Sequence, residues 1–279
     1  MKITIVTSTL NSEKSLAYTL SSVFTQTYKN IEHIIVDGGS TDATITIARK
    51  HKRNKKIFIR KKTSIYEALN IGIKKSTGEY ILILNSDDIL DHKNVIKNIV
   101  EFTKKNKSKI IFGNVSYFNN FSFDKMIRYY TAIGFKHWMF YFGLMPPHPG
   151  AFIHRSIAKK NLYNPTYKIA SDYDFFLRTI KIKKETYEII PWTITRMRTG
   201  GVSGVNIKAH FISGREIYRS LKKNGFFASH ILINLRYLSK LKQFLFKKKI
   251  TKQFSINSKY KNLLRYHFTV IKNIEAINF

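Results

Sequence analysis

Cysteine is absent from all 279 residues. Disulfides and thiolate-held metals are thereby excluded, and zinc or iron–sulfur roles with them. Proline is scarce, five residues in all, and three of these sit in Pro146-Pro147-His148-Pro149, read as a rigid turn. No stretch approaches the roughly 20 apolar residues that a spanning helix needs. Met1 to Thr7 opens as a strand rather than as a leader. These two absences give the expectation of a cytoplasmic protein. Acidic residues are also few: 17 Asp and Glu face 49 Lys and Arg, for a net charge of +32. Such a balance suits a polyanionic partner, whether nucleic acid, an anionic membrane surface or an acidic substrate. Part of it reflects a general richness in Lys, Ile and Asn. What remains is ordinary: 43% apolar residues, enough for a sizeable core, and no internal repeat.

The first half alternates between two periodicities. Ile3–Val6, Ile31–Val36, Ile57–Arg60, Tyr80–Leu84 and Lys109–Phe112 read as strands. Glu13–Thr27, with Ser12 as N-cap, and Tyr66–Lys75 read as helices. This alternation predicts an α/β fold, a Rossmann-like, mostly parallel sheet with helices on both faces. From Val115 the texture becomes aromatic. Ala151–Ile153 reads as a further strand, Ile169–Ile182 as a helix and Thr199–Gly204 as a glycine-rich loop.

Two strand ends carry acids. Tyr80–Leu84 runs into Asn85-Ser86-Asp87-Asp88. Adjacent carboxylates after a buried strand are costly unless neutralised. A divalent cation held against a diphosphate would neutralise them; a solvated turn or a helix N-cap is the plainer alternative. Ile34-Ile35-Val36 ends in Asp37-Gly38-Gly39-Ser40-Thr41-Asp42. In open α/β sheets ligands bind outside the carboxyl ends of strands, so Asp37 is a candidate partner for a base or ribose. An Asx-turn explains the same residue structurally. Together the two sites point to one nucleotide cleft.

In this order the motifs resemble those of an inverting, nucleotide-sugar glycosyltransferase of family two, with a GT-A fold. The resemblance covers about residues 1–204 and rests on several blocks. They are Ile5–Asn11, Ser21–Tyr28, Ile34–Asp42, Ile65–Ile73, Ser76–Asp88, His148–Phe152, Ala170–Asp174 and Gly200–Ser203. Four positions depart from the family's pattern. Asn85 stands where an Asp-x-Asp motif begins, Lys62 and Ser64 replace an acidic residue and a glycine, and Leu10 replaces a common Tyr.

The resemblance implies transfer of a sugar from a nucleotide diphosphate, by default UDP, to a hydroxyl, with inversion. It implies nucleotide contacts from Ser8, Thr9, Asn11, Asp37, Gly39, Ser40, Asn85, Ser86 and Asp87. It assigns Mn2+ or Mg2+ to Asp87 and Asp88, and the general base to Asp172. A helix N-terminal charge is the structural alternative for Asp172. His148 and Asp174 are acceptor-side candidates, and Arg196 and Arg198 are candidates for diphosphate oxygens. Trp138 and its aromatic neighbours are a candidate sugar platform or a piece of core. The acceptor expected is a glycan or lipid-linked saccharide of the cell envelope, lipopolysaccharide or capsule.

Residues 1–205 are thus read as the catalytic domain and 206–279 as a basic, amphipathic helical extension. Its Leu235, Leu238, Leu241 and Leu245 recur at helical spacing among Arg236, Lys240, Lys242 and Lys247–Lys249. That pattern suits peripheral attachment to an anionic membrane, on the inner face of the cell membrane, or a helical cap on the catalytic domain. Two other functions compete: a catalytically degenerate GT-A scaffold, which Asn85 and Lys62 invite, and a nucleic-acid-binding protein. Against the latter, no recognised nucleic-acid motif appears and the acids cluster at strand ends.

Overall fold

The computed structural model describes residues 1–51, 55–119, 126–199 and 207–237. The β-branched runs near the N-terminus form strands β1 (Ile3–Thr9), β2 (Ile31–Asp37), β3 (Lys55–Ile59) and β4 (Tyr80–Ile83). Helices α1 (Leu16–Phe24), α2 (Thr44–Lys50) and α3 (Ile65–Lys75) connect them. Then come β5 (Ile89–Leu90), α4 (Val95–Lys105), β6 (Ile110–Phe118) and β7 (Met126–Tyr130). The chain continues through β8 (Ala151–His154), α5 (Arg155–Lys160), α6 (Ser171–Phe176) and β9 (Tyr187–Arg198). Helices α7 (Ile207–Lys223) and α8 (His230–Asn234) follow.

The strands form one sheet in the order β3-β2-β1-β4-β8-β6-β9-β5, with β7 paired to β6. Helices cover both faces, as the alternation predicts. The sheet is less parallel than the sequence suggests. β1 to β4 are parallel neighbours, and so are β6 and β9. β8 turns antiparallel to β4 and β6, while β7 and β5 pair antiparallel with β6 and β9. A strand buried on both faces is apolar whichever way it runs, so its sequence does not report direction.

One face of the sheet packs Val6, Ile34 and Ile83 against Leu69 and Ile73 of α3 and Phe175 and Phe176 of α6. The other packs Ile5 and Leu82 against Ile96 and Ile99 of α4. Gly72 sets the first contact: a Cβ there would stand 2.3 Å from Cγ1 of Val6, so only glycine lets α3 lie this close to β1. α3 starts with a capping box in which Ser64 and Glu67 satisfy each other's backbone N–H groups. Ser12 is not the N-cap of α1; Ser15 holds that position, and the Ser12 hydroxyl instead meets Ser86 at 2.8 Å. The helix expected over Ile169–Ile182 is α6 continued by a π-helical turn over Leu177–Ile182.

The expected boundary at 205/206 does not separate two cores. Ile217 and Leu221 of α7, Ala228 before α8 and Ile233 of α8 belong to the main apolar cluster. Leu238, Leu241, Leu245 and the lysines beyond them lie outside the described residues, as does the loop from Gly200 to Ser203.

Glu32 ties β2 to β1 and to the turn before β4. It accepts the Thr4 hydroxyl (2.7 Å), the Thr77 amide (2.8 Å), the Thr77 hydroxyl (3.0 Å) and Lys56 Nζ (2.8 Å). Burial alone would raise its pKa, but the Lys56 ion pair and the Thr77 and Thr4 hydrogen bonds bring it down to about 2. A depressed carboxylate stabilises the fold above its ordinary value of 4.5 and loses that contribution as pH falls towards 2. Lys56 is half-exposed and screened, which discounts the gain to about 2 kcal/mol. Glu32→Gln is therefore expected to lower unfolding free energy by about 2 kcal/mol at neutral pH in urea melts, with the difference from wild type vanishing near pH 2.

Candidate active site

β2, β1 and β4 end side by side at one edge of the sheet, which puts Thr9 opposite Asp37 and Val6 opposite Ile83. Asp37 is fully buried. Its Oδ1 accepts the backbone N–H groups of Gly39 (2.9 Å) and Ser40 (2.8 Å). Its Oδ2 accepts the hydroxyls of Thr9 (2.9 Å) and Ser40 (2.5 Å). These bonds use about all four acceptor positions of a carboxylate. The Asx-turn is thus real, and Asp37 shapes the loop from within. Asn11, at φ +48°, closes the same wall: its N–H donates to the Ser40 hydroxyl (2.8 Å) and its Oδ1 accepts the Thr41 N–H (3.0 Å). Ser8 is buried beneath them, and Leu10 projects at the lip, 57% exposed.

The second strand end lies beside this wall, joined to it by the Ser12–Ser86 contact. Asn85 donates from Nδ2 to Oδ2 of Asp88 (2.9 Å), and the Thr19 hydroxyl donates to the Asp88 carbonyl (2.7 Å). β5 intervenes before α4, which begins only at Val95, so neither Asp87 nor Asp88 caps that helix. Asp88 is fully buried, and its Oδ1 has no hydrogen-bond partner. Burial pushes its carboxyl well above the usual range, and the charge of Asp87 pushes it further. Burial also raises Asp87, against the pull of Arg198, whose Nη2 stands 4.0 Å from Asp87 Oδ2.

This donor set fits a hard divalent cation in part. Asp87 and the orphaned Asp88 Oδ1 offer oxygens, and a positive charge would relieve both. Among the described residues no group of three or more His, Cys, Asp or Glu side chains gathers to hold a metal. The remaining oxygens would have to come from a diphosphate and water, as is common for Mg2+.

Asp172 stands at the start of α6, half-buried, with its Oδ1 accepting the N–H of Tyr173 (2.8 Å). Burial raises its pKa to about 7; the Tyr173 amide opposes the rise and the Glu216 charge adds to it. Tyrosines surround it: the hydroxyls of Tyr66, Tyr117, Tyr130 and Tyr163 are all held up in part by its charge. The charges of Asp88 and Asp172 both raise the Tyr117 hydroxyl, so its ring lies within electrostatic reach of both acids. The Arg128 guanidinium lies over that ring, 3.8 Å from its centroid.

Other expected residues are employed elsewhere. Asp174 is buried in an ion pair with Arg178 (2.7 Å) and accepts the Ser220 hydroxyl (2.7 Å), so both its oxygens are engaged within the protein. His148 is buried, bonded through Nε2 to the Tyr163 hydroxyl (2.6 Å), and burial lowers its pKa to about 4. Through that bond it supports the tyrosine wall. Arg196 pairs with Asp91 (2.7 Å), leaving Arg198 as the arginine beside the strand-end acids. Phe135 and Phe140 are core, and Trp138 is exposed. The tyrosine collar and Glu216 were missed by sequence reasoning. Glu216 carries one signal: it is the sole acid between Glu188 and Glu275.

Comparisons with known proteins bear on the fold and the family. The chain is 29% identical over 180 residues, 62% of its length and 68% of the relative's, to a PGL/p-HBAD biosynthesis glycosyltransferase of Mycobacterium bovis. Among solved structures, S. aureus TarS 1-349 in complex with UDP-GlcNAc superposes with TM-score 0.64 at 19% identity, covering 92% of this chain and 76% of that one. Glucosyl-3-phosphoglycerate synthase from Mycobacterium tuberculosis, in complex with Mn2+, UDP and phosphoglyceric acid, gives TM-score 0.59 at 16% identity, covering 82% and 80%. These likenesses establish the GT-A fold. The profile of Glycosyl transferase family 2 matches residues 4–162, more than half of the chain, and the protein belongs to that family.

Proposed function

We propose that this glycosyltransferase moves a sugar from a nucleotide diphosphate donor to a hydroxyl of a glycan or lipid-linked saccharide, with inversion at the anomeric carbon. One observation supports the reading: Asp172, whose carboxyl burial pushes up to about 7, and Asp88 of the buried strand-end pair both act electrostatically on the ring of Tyr117. A pKa near neutrality suits a general base. The acceptor oxygen attacks the anomeric carbon from the face opposite the diphosphate. The bond from that carbon to the diphosphate oxygen breaks, its electrons stay on the diphosphate, and the hydroxyl proton passes to Asp172.

Ser8, Thr9, Asn11, Gly39 and Ser40 form the nucleotide wall in this reading. Asp37 takes a base N–H at Oδ2 once the Ser40 hydroxyl rotates away. Asn85 and Ser86 lie beside the ribose and diphosphate, and Arg198 balances charge there. A Mn2+ or Mg2+ ion at Asp87 and Asp88 would supply Lewis-acid charge for the departing diphosphate. UDP is the proposed nucleotide; the TarS and synthase complexes contain UDP-GlcNAc and UDP, while a Pyrobaculum calidifontis mannosyltransferase complex contains GDP-Man and Mn2+.

Calorimetric titration with UDP, GDP and dTDP is expected to show Mn2+-dependent binding of UDP, weakened roughly 10- to 100-fold by Asp87→Asn. Failure of every nucleotide to bind folded protein would overturn the reading and favour the scaffold. Turnover should rise with pH about a midpoint of 7, the carboxylate being the active form. Asp172→Asn should cut kcat by about 10²- to 10⁴-fold with UDP affinity unchanged.

The acceptor class and the charge together support a position at the inner face of the cell membrane, held by the basic extension. No described helix is long and apolar enough to cross a membrane. Phe227 and Ile231, 67% and 77% exposed, stand near Lys222 and Lys223 in sequence and offer an interfacial contact. Because α7 and α8 belong to the core, the test leaves them in place. Co-sedimentation with phosphatidylserine-containing liposomes should fall in Phe227→Ser/Ile231→Ser and in a chain ended after Tyr237. Unchanged sedimentation of both would refute the attachment.

A further inference from the structure

The Asp172 carboxylate accepts hydrogen bonds from backbone amides alone, that of Tyr173 at 2.8 Å and its own. Its position is therefore set by the backbone on either side, and α7 holds both sides. Before Asp172, Glu216 accepts three successive backbone N–H groups: Lys168 on Oε1 (2.6 Å), Ile169 and Ala170 on Oε2 (2.9 Å each). Tyr66 of α3 donates its hydroxyl to the Ile169 carbonyl (2.5 Å), fixing the same peptide from the opposite side. After Asp172, Ser220, one turn beyond Glu216, donates to Oδ1 of Asp174 (2.7 Å). Asp174 Oδ2 takes Arg178 Nε (2.7 Å), and Arg178 reaches the Leu162 carbonyl (2.8 Å). Ile217 and Leu221, between and beyond these polar residues, are buried in the main core and lock the helix in place.

Amides donating to one carboxylate form charge-assisted bonds, stronger and more directional than neutral ones. Nothing in local helix formation requires them. The segment from Lys168 to Ala170 is not helical, and Glu216 is a lone acid in a helix otherwise rich in cations. A functional group needs a supporting shell to stay within a fraction of an ångström of its working geometry.

We propose that Glu216, assisted by Ser220, is a positioning residue for the transfer reaction: it fixes the Lys168–Ala170 backbone so that Asp172 is presented to the acceptor hydroxyl. The proposal rests on Asp172 acting as the base. It also places part of the catalytic apparatus in the C-terminal helix, beyond the segment the family profile matches.

The experiment uses the full chain and the variants Glu216→Gln, Glu216→Ala, Ser220→Ala and Asp172→Asn. Three readouts are taken: hydrogen exchange of the amides from 168 to 173, UDP affinity, and UDP release from UDP-GlcNAc with water as acceptor. Glu216→Ala is expected to speed exchange of the 168–170 amides and lower kcat roughly 10- to 100-fold, with donor KM and UDP affinity unchanged. Glu216→Gln keeps the size, loses the charge and should fall between. The groups facing Asp172 are Tyr66 from α3, Tyr117 and Tyr130 from β6 and β7, Tyr163, and Glu216 from α7. Glu216 supplies the nearby negative charge among them, so Glu216→Gln should also move the acid limb of the pH profile below about 7. Wild-type kcat in Glu216→Ala, or loss of kcat and UDP affinity together in both Glu216 variants, would overturn the positioning role. If Asp172→Asn retains wild-type turnover, the base assignment itself fails; loss in Asp172→Asn alone leaves the base standing and removes only Glu216.

Discussion

Asp88 is buried beside a second carboxylate with one oxygen unpaired. Placing charge in such surroundings costs several kcal/mol unless a counter-charge or full hydrogen bonding compensates. The architecture around it follows from that constraint. Parallel strands bring their carboxyl ends to one edge, and the loops there must satisfy whatever acids the sequence puts at them. Asp37 is compensated entirely from within, by two amides and two hydroxyls. Asp87 and Asp88 are not, despite Asn85 and Arg198. The contrast separates an acid satisfied by its own loop from a pair that its surroundings leave incompletely compensated.

The opposite wall of the cleft solves the problem differently. Around Asp172, β6, β7, α3 and the loop after α5 supply aromatic hydroxyls. Tyrosine is apolar enough to desolvate a carboxylate and polar enough to bond elsewhere: Tyr66 to a carbonyl, Tyr163 to His148. The acid is left with few partners of its own, and burial dominates its behaviour.

The strand-end motifs were legible because they obey local rules: a β-branched run, then glycine and acid where the chain must turn. The resemblance singled out Asp172, which stands at the start of α6. The second half of the sheet was less legible. β9 carries Pro191 and shifts register against β6, so its 12 residues lack a clean alternation. His148 and Asp174 looked like free polar groups near a motif. Only the fold reveals that Tyr163, Arg178 and Ser220, distant or on other elements, already claim them. The link from Glu216 to Lys168 spans 48 residues and joins a side chain to backbone, which no sequence pattern encodes. The boundary at 205/206 followed a change of composition, yet α7 has an apolar face that completes the core.

The inward placement of acids changes what the outside of the molecule presents. Glu32, Asp37, Asp88 and Asp174 are each no more than 8% exposed. Of the 49 lysines and arginines in the chain, Lys56, Lys97, Lys109, Arg178, Arg196 and Arg198 pair with an acid within the described residues. The solvent-facing shell is therefore more cationic than the composition suggests and carries few internal counter-charges. Such a shell condenses onto any polyanion through release of small ions, with affinity falling steeply as salt rises. RNA carried through purification at low ionic strength would thus report an unneutralised shell rather than a nucleic-acid function.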